Sequence, residues 1–205
     1  MRTCGQSMKK RYLALLALLI MTAVLAGCSN TGVTGTVDLP PMEAELFTDA
    51  EKVFALYNQV TFDDTVDTIA ERLGEPTKET SENGDYWLWQ NEDGAGVGAV
   101  FFDNGKLRSK VVVFEDIRQF ELLSNTQSFE NVAFLQEGME PLTVAAAFGS
   151  EGIEIMRMLT DSGADGVEQY LLLWVMEGGS IAQCMFAEGD AGLQQVSYSL
   201  GNVIK

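Results

Sequence analysis

One helical pattern occurs twice in the chain, and this internal repeat constrains the fold more than any other feature of the sequence. Residues 66–76, VDTIAERLGEP, and residues 141–151, PLTVAAAFGSE, each combine apolar residues at helical spacing with a glycine stop. Such spacing predicts an amphipathic helix, and glycine ends a helix because it adopts a left-handed backbone without strain. A shift of 75 residues (149 minus 74) places Gly74 on Gly149. We therefore predict two copies of one structural unit.

Strand-like segments follow each predicted helix. In the first copy these are DYWLWQ, VGAVFF and LRSKVVVF. Asn-Gly or Asp-Gly pairs, which are typical of tight hairpin turns, stand next to them at residues 83–84, 93–94 and 104–105. The strands should therefore form an antiparallel meander. Beyond the glycine the offset widens to 85 residues (174 minus 89), so that Trp89 corresponds to Trp174.

The expected fold class is α+β, a tandem repeat of two helices plus an antiparallel sheet of about four strands. We place repeat 1 at residues 46–118 and repeat 2 at residues 119–205. A lobe of this size buries only about 60% of its chain surface and is marginal alone. Two copies would share or extend one core.

The first residues predict export. Three basic residues at 9–11 precede an apolar stretch at residues 13–26, which is shorter than the about 20 residues that span a bilayer. These features are typical of a secretory signal. The sequence LAGC at residues 25–28 resembles the signal box of bacterial lipoproteins, which implies a diacylglyceryl group on Cys28 and cleavage before it. An ordinary signal peptide that contains a cysteine is the alternative.

This organisation predicts a lipoprotein signal peptide at residues 1–27 and a flexible tether, rich in Gly, Thr and Pro, at residues 28–45. Lipid on Cys28 would hold the protein at the cell membrane or outer membrane, on the extracytoplasmic side. Cys184 is then the other cysteine of the mature chain, so no intrachain disulfide is expected. Its apolar neighbours predict a small core residue.

Acidic residues dominate the charge. The 13 basic and 30 acidic residues give a formal net charge of −17, and loss of the signal peptide with its four basic residues would change this to −21 (9 minus 30). Such a surface repels nucleic acid phosphates and anionic headgroups, so we expect no nucleic acid partner. A basic or metal-bearing partner stays open, as does a role of the charge in solubility alone.

The residues for common catalytic chemistry are missing. The sequence contains no histidine, which excludes Ser-His-Asp and Cys-His arrangements and removes the commonest zinc ligand. Paired carboxylates such as Asp63-Asp64 are expected as caps or solvated turns in a chain with 30 acidic residues. We expect neither an enzyme nor a cofactor or metal site.

The order of motifs in the two copies is informative. The segments are DDTVDTIAERLGEP, DYWLWQ and AVFFDNGKL, and then GMEPLTVAAAFG, EQYLLLW and AQCMFAEGDAGL. This pattern resembles the repeat of the β-lactamase inhibitory protein, which also occurs singly in small outer-membrane lipoproteins of the SmpA/OmlA type that assist β-barrel assembly. The resemblance implies helices on one side of a sheet and a partner-binding face on the other. It does not extend to inhibition of β-lactamases.

Aromatic side chains are the candidate contacts with a partner. Trp87, Trp89, Tyr170 and Trp174 lie on predicted strands, and aromatic residues anchor interfaces because they bury a large area at little entropic cost. The alternative is that the tryptophans fill the core. The leading hypothesis is a lipid-anchored, extracytoplasmic module that binds another envelope or secreted protein through a sheet face.

A receptor is the second hypothesis. A groove between the two lobes, lined by Met156, Met158 and Met185, would then hold a small molecule or a peptide, because methionine side chains adapt to varied apolar ligands.

Overall fold

The computed structural model describes most of the chain beyond residue 50 and one strand before it. The described residues are 34–38, 50–81, 84–92, 94–114, 116, 119, 135–161, 163, 166–176, 179–189 and 192–200. The α-helices in these ranges are α1 (Ala50–Phe54), α2 (Val66–Leu73) and α3 (Pro141–Phe148), and a 3-10 turn spans Tyr57–Gln59. The strands are β1 (Thr34–Asp38), β2 (Thr77–Ser81), β3 (Gly84–Gln90), β4 (Gly96–Phe101), β5 (Leu107–Val113), β6 (Ile153–Leu159), β7 (Glu168–Val175), β8 (Ile181–Ala187) and β9 (Gly192–Leu200).

All of these strands belong to one sheet. Its order is β1-β9-β8-β7-β6-β5-β4-β3-β2. The strands from β2 to β9 pair antiparallel with their neighbours, and β1 is parallel to β9. The meander includes β5 and β6, which pair directly, with Ser109 opposite Met158 and Val111 opposite Met156. Because of this pairing, the strands that the sequence analysis assigned to two sheets form one continuous sheet.

The expected α+β fold class is therefore wrong. The structure is a largely β fold, in which an eight-stranded antiparallel stretch of sheet carries short helices of 5, 8 and 8 residues. An unpaired strand edge leaves backbone N–H and C=O groups without partners. The edges of β5 and β6 satisfy each other, and the helices cover only part of the joint sheet. The limits of the two repeats, 46–118 and 119–205, stay a prediction.

The two helices of the repeated pattern form as predicted and end at glycines with positive φ. Gly74 has a φ of +88° after α2, and Gly149 has a φ of +72° after α3. α2 begins at a pair of threonines that cap each other: Thr65 N–H donates to Thr68 Oγ1 at 2.9 Å, and Thr68 N–H donates to Thr65 Oγ1 at 3.3 Å. Within the described residues, no helix is both long and apolar enough to cross a membrane.

The 3-10 turn, α2 and α3 lie on the same side of the sheet, which we call the helical face. α2 and the turn contribute Ile69, Tyr57 and Val60 to a core over the strands of the first half. α3 covers the strands of the second half, where Phe148 stacks on Trp174 with ring centroids 4.3 Å apart.

The centre of the opposite face is mainly apolar and buried. Val111, Met156 and Leu171 are cross-strand partners on this face, and each is at most 4% exposed. Lys110, Arg157 and Tyr170, which are half-buried, lie at the sheet centre on the helical face. This differs from the resemblance, which implied binding on the face without helices.

Candidate interaction surface

Two of the four predicted contact residues are core residues. Trp89 and Trp174 are 3% and 2% exposed. Trp89 Nε1 donates a hydrogen bond of 2.8 Å to the carbonyl oxygen of Gly74, and Trp174 Nε1 donates one of 3.0 Å to the carbonyl oxygen of Ser150. Each ring thus packs at the glycine end of a helix with its polar group satisfied. Their burial corrects the expectation that they contact a partner, because neither offers surface.

Trp87 and Tyr170, the other two predicted residues, are half-buried. The Trp87 ring meets Phe101 edge-to-face at 5.1 Å between centroids. The Tyr170 ring stacks on Phe186 at 5.5 Å, and the guanidinium of Arg157 lies 5.1 Å from its centroid. Each ring packs against neighbouring side chains on one side and leaves part of its surface exposed to solvent.

Trp87 and Tyr170 belong to one row that crosses the helical face. The row follows successive cross-strand pairs from β3 to β7: Trp87, Ala99, Lys110, Arg157 and Tyr170. Neighbouring strands are about 4.8 Å apart, so four steps separate the two aromatic residues by about 19 Å. Ala99 is buried, and the other members are half-buried. We call these five residues the central row.

Arg157 holds three glutamates around the middle of the row. Its Nε and one terminal nitrogen donate to the two oxygens of Glu154 at 3.0 and 2.7 Å. The other terminal nitrogen donates to Glu168 at 2.9 Å and to Glu188 at 2.8 Å. The Arg157 side chain is 26% exposed and the Glu188 side chain 52% exposed. The network therefore runs from a half-buried arginine out to solvent.

Lys110 and Tyr57 tie this network to the 3-10 turn. Lys110 Nζ donates to the carbonyl oxygens of Val60 at 2.7 Å and Tyr57 at 3.2 Å, and it lies 4.1 Å from the centroid of the Tyr57 ring. The Tyr57 hydroxyl donates to Glu154 at 2.7 Å. The cations of the central row are thus fixed by the chain before any partner arrives.

The pKa shifts agree with a fixed ion pair. Burial raises the pKa of Glu154, but hydrogen bonds from Arg157 and Tyr57 outweigh burial and bring its pKa below the ordinary value. Hydrogen bonding to Glu154 raises the pKa of Arg157. Burial lowers the pKa of Lys110. Lys110 and Arg157 against the three glutamates give the cluster a formal charge of −1 (2 minus 3).

An open groove of about 510 Å³ lies at the other end of the row, between α2 and the edge of the sheet. Trp87 lines it together with half-buried Val66 and Ala70. The remaining lining residues are Asp67, Glu71, Glu75, Pro76 and Lys78. The groove is therefore apolar at its base and mainly acidic at its rim.

The three methionines of the expected receptor groove lie elsewhere. Met156, Met158 and Met185 are 1%, 7% and 5% exposed, and cross-strand pairing puts Met156 on the face opposite the helices. They are core residues in this structure and do not line an open groove.

The sequence patterns missed Lys110, Glu154 and Arg157. A signal for the two cations was present, because each stands in a mainly apolar strand, LRSKVVV or IEIMRML. Alternation puts both on the side of the strand that faces the helices, where a charge needs partners. The glutamates that provide those partners come from β6, β7 and the turn after β8, and no local pattern connects them.

The cysteines and possible metal ligands add no further site. Cys28, the predicted lipidation site, lies outside the described residues. Cys184 is fully buried and forms no disulfide. Among the described Cys, Asp and Glu residues, no group of three is arranged to hold a metal ion.

Comparison of the sequence with protein families and with curated proteins finds no match.

Proposed function

We propose that this protein is an interaction module, lipid-anchored at Cys28, that binds another extracytoplasmic protein through the central row. The observation that carries the proposal is the placement of Trp87 and Tyr170, both half-buried, at the two ends of one row with Lys110 and Arg157 between them. Tryptophan, tyrosine and arginine are the residue types most enriched at interface hot spots.

The dimensions of the row fit a protein partner. A standard interface buries about 800 Å² on each partner, so two anchors about 19 Å apart fall within one contact patch. A small ligand would not reach both rings at once. The row therefore favours a protein over a metabolite at this surface.

The fixed geometry of the row lowers the entropic cost of binding. Lys110 donates to two backbone carbonyls, and Arg157 bonds three glutamates. Side chains that are already ordered lose little freedom when a partner docks. Glu188 at the exposed end of the network favours a basic group on that part of the partner surface.

A binding role, rather than a catalytic one, agrees with the absence of histidine from the sequence. We retain the predicted signal peptide and the lipid on Cys28, which together would hold the module outside the cytoplasm. Residues 34–38 of the predicted tether form β1 of the sheet. The repeated segments resemble the repeat of the β-lactamase inhibitory protein, and this resemblance is a further reason to expect a protein partner.

Capture from detergent-solubilised membranes tests this function. The full chain is compared with a double variant, Trp87→Ala with Tyr170→Ala, and with a control that truncates two exposed apolar residues elsewhere, Leu142→Ala with Val167→Ala; Leu142 and Val167 are 78% and 42% exposed. The wild type and the control should recover the same partner, and the double variant should lose it while keeping a cooperative thermal unfolding transition. Recovery of that partner by the folded double variant, or of none by the wild type, contradicts the proposal.

The groove beside α2 favours a second candidate function, the binding of a small molecule or a peptide. Its volume of about 510 Å³ lies within the range of ligand sites. A ligand of a preformed site raises the melting temperature without any protein partner. Thermal-shift screening of the full chain against envelope fragments and peptides therefore separates this candidate from the first.

A further inference from the structure

The sheet ends at β2 with an edge that no described strand covers. β2 pairs with β3 on one side, and its residues Thr77, Lys78 and Thr80 are exposed. The free N–H and C=O groups of such an edge are a template for another strand. An extended peptide is therefore a suitable partner for this edge.

The groove runs along the same edge. Lys78 of β2 and Trp87 of β3 are cross-strand partners and both line it, and α2 forms the opposite wall. A peptide strand paired with β2 would project alternate side chains toward the helical face, where the groove lies. The edge would supply affinity through backbone hydrogen bonds, and the groove would select the side chain.

The charge around the groove favours a basic side chain. Asp67, Glu71 and Glu75 stand against Lys78, which gives the lining a formal charge of −2 (1 minus 3). The Trp87 ring already carries a cation, because Lys78 Nζ lies 5.3 Å from its centroid. Lys78 also forms an ion pair with Asp85. The chain thus already places one cation within cation–π distance of this ring.

We infer that the β2 edge and the adjoining groove bind an extended, basic peptide segment of a partner protein. The peptide backbone pairs with β2, and a lysine or arginine side chain enters the groove, with its apolar stem against Val66 and Ala70 and its charge between Trp87 and the carboxylates of α2. This site goes beyond the central row and shares only Trp87 with it. Binding at one surface does not require binding at the other.

Replacement of Lys78 should change the affinity for a basic peptide in the opposite direction to replacement of an acidic residue of the groove. In the free protein it occupies the cation position over Trp87 and adds positive charge to the groove. Lys78→Ala should therefore strengthen the binding of a basic peptide about threefold, whereas Glu71→Gln should weaken it about threefold, as expected for one exposed charge. A general loss of structure would weaken binding in both variants.

Fluorescence anisotropy on the full chain in detergent provides the test. The probe is a short labelled peptide that alternates valine and lysine. The controls are a peptide that alternates valine and glutamate, and a valine–lysine peptide whose backbone is N-methylated so that it cannot pair with a strand. The valine–lysine peptide should bind at least tenfold more tightly than either control.

Variants separate the groove from the general acidity of the chain. Glu140→Gln removes an exposed carboxylate at the start of α3, over the other half of the sheet, and should leave binding unchanged. Trp87→Phe should keep most of the affinity, and Trp87→Leu should lose about tenfold because the ring face is gone.

Equal effects of Glu140→Gln and Glu71→Gln, weaker binding of the Lys78→Ala variant, or equal binding of the N-methylated peptide each overturn the inference. Tyr170 belongs to the central row but does not line the groove, so Tyr170→Ala should leave peptide binding unchanged. The peptide assay therefore tests the groove independently of the central-row proposal.

Discussion

Asp64 organises the turn that precedes α2. Its carboxylate accepts hydrogen bonds from Thr61 N–H at 2.8 Å, the Thr68 hydroxyl at 3.0 Å and Arg72 at 2.6 Å. Burial raises the pKa of Asp64, but the hydrogen bonds from Arg72, Thr61 and Thr68 outweigh burial and lower the pKa to about 2. The charged form of one side chain therefore holds the turn in place.

Acid should remove this contribution. The folded carboxylate binds its proton more weakly than the unfolded one, whose pKa is about 3.9. Asp64 thus stabilises the fold fully above about pH 4, and the effect is lost as the pH falls toward 2. We expect Asp64→Asn to lower the free energy of unfolding by about 1 to 2 kcal/mol near pH 6, because a hydrogen-bonded charge is lost beside a partly exposed arginine.

Urea denaturation near pH 6 and near pH 2 measures this difference, which should shrink at the lower pH. Asp63→Asn is the matched control, because Asp63 is exposed and its replacement should change stability by less than about 0.5 kcal/mol. The same loss for Asp64→Asn at both pH values would contradict the account.

Cys184 should be chemically inert while the protein is folded. It is fully buried, and burial raises the pKa of its thiol to about 12. The thiolate is the reactive form, so we expect no alkylation of Cys184 by iodoacetamide at neutral pH without denaturant and complete alkylation in urea. Mass spectrometry of the Cys184 peptide measures both states. Alkylation at similar rates in the two conditions would show that the site opens.

The sequence does not predict which of Trp87 and Trp89 is buried. Alternation correctly puts both on the same face of β3, but it does not tell which one a helix covers. Trp89 lies at the end of α2 and donates to the carbonyl oxygen of Gly74, whereas Trp87 lines the groove alongside the helix. That choice depends on where α2 meets the sheet. Only long-range packing determines this position.

At the scale of elements, β4 contains a position that tolerates no side chain. A Cβ on Gly96 would lie 2.0 Å from the carbonyl oxygen of Trp89 and 2.9 Å from the Cα of Gln90. Both are backbone atoms of β3 and cannot rotate away. Gly96→Ala should therefore push β3 and β4 apart and lower the free energy of unfolding by about 2 to 4 kcal/mol.

Gly98→Ala is the matched control in the same strand. Its Cβ would lie 3.1 Å from Cγ1 of Val111, a side-chain atom, so we expect a cost of about 1 kcal/mol. Urea denaturation of the two variants measures both values. A smaller cost for Gly96→Ala than for Gly98→Ala would contradict this packing of β3 against β4.

The elements were more predictable than their assembly. Local chemistry specifies α2 and α3, because apolar periodicity and a terminal glycine coincide at Gly74 and Gly149. Turn chemistry likewise specifies the hairpins of the first half. The contact between β5 and β6 was not predictable, since residues 114–152 separate the strands. Neither strand has a residue pattern that indicates which strand it pairs with. The wrong fold class follows from that missing pairing and from the shortness of the helices.

In the molecule as a whole, the described helices leave Arg157 and Tyr170, near the middle of one sheet face, partly accessible. α2 and the 3-10 turn pack over the first half, and α3 packs over the second. The central row runs from Trp87 beside α2, past the 3-10 turn at Lys110, to Tyr170 on β7. The sequence predicted a sheet face with aromatic anchors. It did not predict the cations between them, because the row exists only once β5 and β6 have joined.

Site-specific photo-crosslinking in intact cells tests whether the central row is the binding surface. A photoreactive phenylalanine analogue replaces Trp87 or Tyr170 of the full chain, and, as a control, exposed Leu142 on α3. We expect light to produce the same discrete crosslinked protein from positions 87 and 170 and none from position 142. Crosslinks from position 142 alone, or none from positions 87 and 170, would contradict the assignment of the central row as the binding surface.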